Sequence, residues 1–303
     1  MVEQTQALAA VKTYRYLRLA LAGLVVLLFS SLIIEWQAVG RACVQTTISA
    51  YWHTPVRGVF VGVLVTMGIC LIVLKGNNKA EDVLLNLAGI LAPGVAFIPA
   101  AQSGTCSSAP TVAGDEGPAI ANNMQALFVL GVLAVAVAIA IAVRESGSLR
   151  RLHRWDQLGI AIGLGATGGG ALWFYVSRST FIAHGHNAAA IAMFLALVAV
   201  VWVNARDVKE TVERHPPLAK VRASYVTAYR IIAVAMLATL ALAVVGHLLG
   251  WEYALLVVEI LLITFFGIFW IIQTRELWNQ GLRDSPSSVD GSSWRPENRP
   301  QVR

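Results

Sequence analysis

The sequence predicts an all-α, polytopic transmembrane helical bundle of about eight spans with both termini cytoplasmic. Three observations predict it: apolar runs long enough to cross a bilayer, a one-sided distribution of Lys and Arg, and aromatic residues near the ends of the runs. Of 303 residues, 57% are hydrophobic and 13% charged, with a mean hydropathy of +0.65, far from the makeup of a soluble globular domain.

The runs cover residues 19–39, 57–75, 83–101, 122–143, 157–176, 187–204, 229–248 and 252–273. The first follows a polar leader, MVEQTQALAAVKTYRYLRLA, with no secretory pattern, so it is expected to stay in the mature chain. The second carries Gly58 and Gly62 in RGVFVG, and the fifth carries Gly159, Gly163, Gly165 and Gly169. Small residues four apart let two helix backbones approach, so both stripes are expected at helix contacts. Pro93, beside Gly94 in the third run, is expected to kink it. After the sixth run, ARDVKETVERHPPLAKVRASYV is expected to continue as helix and to break at Pro216 and Pro217, because proline has no amide hydrogen and its ring clashes with the preceding turn. Residues 1–278 thus form the transmembrane domain. Residues 279–303, rich in Ser, Pro and charge, read as a disordered cytoplasmic tail.

With the N-terminus inside, 20 of the 23 Lys and Arg fall on the cytoplasmic side, and only Arg41, Arg57 and Arg178 fall outside. The net charge of +6 therefore reads as topology and attraction to anionic lipid rather than to nucleic acid. The expected location is the cell membrane. Trp36, Tyr51, Trp52, Trp251 and Tyr253 form an outer aromatic belt on this reading, and Tyr14, Tyr16, Trp155, Trp270 and Trp278 an inner one.

Ionisable residues near an apolar core are costly and point to sites. They gather towards the outer face as Glu35, His53, Arg57, His184, His186, His247, Glu252 and Glu259, a candidate outer-leaflet ligand-binding cavity; the inner halves of the helices look dry. Glu252 and Glu259 are seven apart, so they share a helical face with Glu259 roughly 10 Å deeper, where Arg57 and His247 are its candidate partners. His184 and His186, in FIAHGHNAAAIAMF, would point about 200° apart on a helix and could share a metal only in an extended segment. Cys43 and Cys106, in the two outer loops, are a candidate disulfide. The chain has no GxxxxGK loop, GxSxG elbow, HxxxH or CxxC, and no lysine in the interior of a run, Lys75 being the last residue of the second. No catalytic residue, metal or cofactor is thereby indicated.

The stretches ISAYWHTPVRGVFVGVLVTMGICLIVLKG and EDVLLNLAGILAPGVAFIPA, with HGHNAAAIAMF and IFWIIQTRELW, resemble a group of little-characterised multi-pass membrane proteins of the Frag/DRAM/Sfk type. The matching positions are Tyr51, Thr54, Pro55, Arg57, Asp82, Asn86, Gly89 and His184, and the eight runs depart from the group's pattern. The resemblance implies a role in membrane lipid organisation or trafficking, without an agreed enzymatic chemistry. The chain also resembles the seven-span zinc hydrolases of the alkaline ceramidase and progestin-receptor type, but lacks their late HxxxH, with His247 standing alone.

Three readings follow. The first is a protein that binds membrane lipid, or another membrane protein, through the outer cavity. The second is a metal-dependent lipid hydrolase with ligands among the outer histidines and glutamates. The third is a proton-coupled transporter using Glu259.

Overall fold

The computed structural model describes residues 2–40, 44–100, 116–214, 216–279 and 281–283, with side chains described for all of these except 2–7, 116, 214 and 216–222. Cys43 and Cys106 lie outside the described residues, as does the tail from residue 284.

Among the described residues the regular structure is helical: α1 (Val2–Ala38), α2 (Arg57–Val73), α3 (Lys79–Phe97), α4 (Glu116–Ser146), α5 (Arg154–Leu164), α6 (Gly170–Val176), α7 (Arg178–Arg214), α8 (Pro216–Leu248) and α9 (Ala254–Glu276), with a short 3-10 turn at Ser49–His53 before α2. A π-helical turn at Gly165–Gly169 joins α5 to α6, so the two continue as one rod from Arg154 to Val176. Seven segments are long and apolar enough to cross a membrane. The helix α2 is apolar but has 17 residues, about 25 Å at 1.5 Å per residue.

Local chemistry sets the boundaries. Asn78 caps α3 by accepting the Glu81 amide, satisfying one of the donors a helix start leaves open. The break between α7 and α8 falls where the prolines predict it, and α8 begins at Pro216, a position where a missing amide hydrogen costs nothing. The turn from α8 to α9 passes through Gly250 at φ +66°, in the left-handed region glycine accepts freely. The apolar run placed at 187–204 is only the middle of α7, which starts nine residues earlier and takes His184 and His186 into the helix.

Packing closes a circuit: α1 against α2, α2 against α3, α3 against α7, α7 against α8, α8 against α9, and α9 back against α1. The main core fills this circuit, with Leu21, Leu71, Leu85, Tyr229, Met236, Phe269 and Trp270 among its most buried members. The helices α4, α5 and α6 lean against α3 and α7, around a smaller aromatic cluster of Phe128, Phe174 and Phe181.

Two of the expected glycine contacts hold and the others do not. A Cβ at Gly159 or Gly163 would meet Val83 or Val135 at 3.3 Å, but Gly58, Gly62, Gly165 and Gly169 face open space. A tight backbone-to-backbone approach lies elsewhere: a Cβ on Gly68 would sit 2.7 Å from the carbonyl oxygen of Gly89, and one on Gly89 would sit 2.7 Å from that of Gly68. The contact occurs beside Pro93, whose missing amide leaves the Gly89 carbonyl without its ladder partner. The aromatic belts also need correction, because Tyr51, Trp52 and Trp270 are core residues, whereas Trp36, Trp251, Trp278 and Tyr16 are exposed.

Candidate functional site

The eight residues assigned to one outer cavity differ widely in exposure, and of them Arg57 borders an open cleft. His184, His247 and Glu252 are exposed, and His53, His186 and Glu35 are buried. The helical geometry of α7 separates the histidine pair as their spacing requires.

Three side chains near the end of α3 share a task. The last turn of α3 leaves carbonyls without intrahelical partners. Trp52 Nε1 donates to the Ala96 carbonyl at 3.0 Å, and His186 Nδ1 donates to those of Val95 and Ile98 at 3.1 and 2.7 Å. His53 Nε2 donates to the carbonyl of Ala100, just beyond, at 2.9 Å. Both buried histidines thus complete the end of a helix, and a ring nitrogen of each is engaged as a donor.

Glu259 does not pair with Arg57 or His247. Its carboxylate accepts the Ile48 amide at 2.5 Å and the Ser49 hydroxyl at 3.2 Å, clamping the start of the 3-10 turn to α9. Glu35, near the end of α1, is buried with one carboxylate oxygen unpartnered. Among the described residues no group of three His, Cys, Asp or Glu is placed to hold a metal ion, so the hydrolase reading has no ligand set there.

Arg57 is the candidate residue that lines a cavity. Its guanidinium lies over the Trp52 ring, 3.5 Å from the centroid, and it has no ion pair among the described residues. The two side chains border an open cleft of about 320 Å³ whose other walls are Gly58, Val61, Ala96, Phe97 and, from α4, Asn123. A stacked guanidinium keeps its in-plane hydrogens available to an anion while its face rests on the indole. The cleft therefore combines one fixed cation, one amide and an apolar wall.

The opposite end of the circuit, where the inner halves of the helices looked dry, holds the most concentrated polar cluster in the described chain. Glu81 on α3 is fully buried, and its carboxylate accepts from the Asn77 amide at 2.7 Å, Asn77 Nδ2 at 3.0 Å, Asn204 Nδ2 at 2.8 Å and Gln273 Nε2 at 3.4 Å. Arg18 on α1, 1% exposed, donates to Gln273 Oε1 and to the Gly281 carbonyl. Glu276 receives Arg283 through two hydrogen bonds, at 2.7 and 2.6 Å, and the Tyr229 hydroxyl at 2.6 Å. A second arm of Arg283 reaches Asn204 at 2.8 Å and Asp207 at 3.1 Å. Burial alone would lower the Arg283 guanidinium, but its bonds to Glu276 and that residue's charge outweigh this and hold it above the ordinary guanidinium range.

The expected boundary at residue 279 accordingly shifts, since Gly281–Arg283 fold against the bundle. The cluster did leave a trace in the sequence. Arg15 and Arg18, Asn204 and Asp207, and Gln273 and Glu276 are polar pairs three residues apart at or just beyond the ends of the apolar runs, and such pairs share a face. Counting these charges as loop residues hid them. Between the two polar ends, α9 presents Leu262, Phe266, Phe269 and Trp270 to the core, all buried, so its core-facing side is apolar and aromatic between Glu259 and Gln273. The chain matches no protein-family model, and no curated protein or solved structure is detectably similar to it.

Proposed function

We propose that the chain is a cell-membrane protein of eight crossings with cytoplasmic termini that binds an anionic phospholipid in the Trp52–Arg57 cleft, on the outer side. The observation that carries this reading is a cleft in which a cation without an ion pair among the described residues stands over an apolar wall. A phosphate at Arg57 could also meet Asn123, while the acyl region lay against Val61 and Phe97. A cavity of about 320 Å³ is at the lower end of small-molecule sites, which suits a headgroup and its glycerol rather than a whole lipid. The crossing count is supported by the packing of the apolar, 17-residue α2 between α1 and α3 in the circuit, where an eighth crossing is expected. The orientation rests on the Lys and Arg count.

Native mass spectrometry of the detergent-extracted protein tests the assignment. The unmodified chain should retain an anionic phospholipid, and Arg57→Gln should weaken that retention about tenfold or more, the effect of losing a hydrogen bond to a charged group. Equal retention by Arg57→Gln would sink the reading, as would recovery of a stoichiometric transition metal in place of lipid.

A further inference from the structure

The polar cluster at the terminal end is not used by the lipid cleft and stands independently of it. It is closed by a strap that follows α9, whose described residues, 277–279 and 281–283, are not helical. The strap is tied down by Arg15 to the Trp278 carbonyl, by Arg18 to the Gly281 carbonyl and by the Arg283 amide to Asn77 Oδ1. Arg283 sends its guanidinium into a pocket that α7 and α9 build from two carboxylates and an amide.

Charge makes that occupant necessary. Among the described residues, Glu81 and Glu276 keep Arg18 as a cationic neighbour if Arg283 leaves, while Asp207 loses its ion pair, so three carboxylates beside one guanidinium are short of two positive charges, which a replacement cation or proton uptake must supply. The shape is that of an alkylguanidinium, with paired acceptors on Glu276, further acceptors on Asn204 and Asp207, and the Tyr229 ring 5.5 Å from the guanidinium carbon. A separate observation points inward from it. One turn deeper than Gln273 on the same face of α9, Trp270 is fully buried, and its indole N–H has no acceptor. This donor suits a ligand that carries an acceptor beyond its cationic head.

We propose that the pocket of Glu81, Asp207 and Glu276 is a binding site for an alkylguanidinium or alkylammonium ligand, and that Arg283 occupies it as a displaceable plug on the strap 277–283. A ligand of this class competes with Arg283, so the strap opens when the ligand binds, and the helix end below it is uncovered. Such an intramolecular occupant raises the threshold for the ligand, because the site is free only in the fraction of molecules whose strap is open.

Hydrogen exchange on the full-length, unmodified chain tests this with n-propylguanidinium chloride, n-propylammonium chloride and sodium chloride at equal concentration. At ten times the dissociation constant, exchange of the Arg283 amide should accelerate about tenfold with an organic cation and stay unchanged with sodium. Arg283→Ala should lose thermal stability and regain it saturably with n-propylguanidinium. If exchange at 277–283 is the same in all three salts, or rises equally with sodium, the strap is a permanent part of the fold and the proposal fails. Should Arg283→Ala not fold, Arg283→Lys, which keeps the charge but has one point of contact in place of the fork, should show easier displacement than the unmodified chain. Equal resistance would overturn the proposal.

Discussion

Uncoupling Glu276 from Arg283 should cost far more than breaking a surface ion pair. Both side chains are 1% exposed, and the carboxylate takes two hydrogen bonds from the guanidinium and a third from Tyr229. Breaking a buried pair from one side leaves an uncompensated charge, at about 3–5 kcal/mol. An exposed pair such as Lys209 and Glu213 contributes about 0.3–0.5 kcal/mol. Glu276→Gln and Arg283→Met are therefore each expected to lose about 3–5 kcal/mol, or roughly 6–10 °C in Tm at about 2 °C per kcal/mol for a chain of this size. The double variant removes both charges at once, and its loss should stay near that of one single change, a coupling of about 3 kcal/mol. Thermal unfolding in detergent, followed by tryptophan fluorescence, measures all four corners of the cycle. Single losses below about 1 kcal/mol, or a double loss equal to the sum, would refute the reasoning.

Four further outcomes are expected. Gly68→Ala should destabilise by about 1–3 kcal/mol because its Cβ would meet the Gly89 carbonyl, whereas Gly62→Ala, facing open space, should be neutral or slightly stabilising; the same thermal assay compares them. Glu259→Leu should cost about 1–3 kcal/mol by leaving the Ile48 amide without its acceptor, and Glu259→Gln should cost less because its carbonyl oxygen still accepts; equal losses would contradict the clamp. A folded-state value raised above the unfolded one gives stability that is present at low pH and lost as pH rises through the folded value. For Arg283 that loss lies above the ordinary guanidinium range, so its contribution should be flat from about pH 7 to 10. In Arg283→Lys the loss should move down to begin near about pH 10, measurable as a falling Tm in alkaline buffer.

The site was partly legible beforehand. Hydropathy located all eight apolar elements, because each must bury its backbone polar groups as helix, and the prolines at 216 and 217 located the break after α7. The reasoning that His184 and His186 diverge on a helix holds in α7. Their outer-end neighbours could be grouped by depth but not by direction. Depth follows from position along a helix, whereas direction depends on which neighbour each face meets. Hence Glu259 meets the Ile48 amide rather than Arg57 or His247, and His186 meets carbonyls at the end of α3 that its own sequence neighbours do not announce.

The glycines show the same division. The sequence distinguishes Gly62 from Gly68 by nothing except spacing, and spacing favoured the wrong one, since Gly68 is tight only because α3 crosses it at Gly89 and Pro93. What the sequence by itself determined is what depends on local composition: helical class, the run of apolar segments, the break at Pro216 and the divergence of neighbouring side chains. What only the tertiary structure decided is convergence. Arg18, Glu81, Asn204, Glu276 and Arg283 come from stretches as much as 265 positions apart and read singly as ordinary helix-end charges. They become one buried network because the circuit from α1 to α9 closes and excludes water, which obliges each charge and amide to find its partner within the protein.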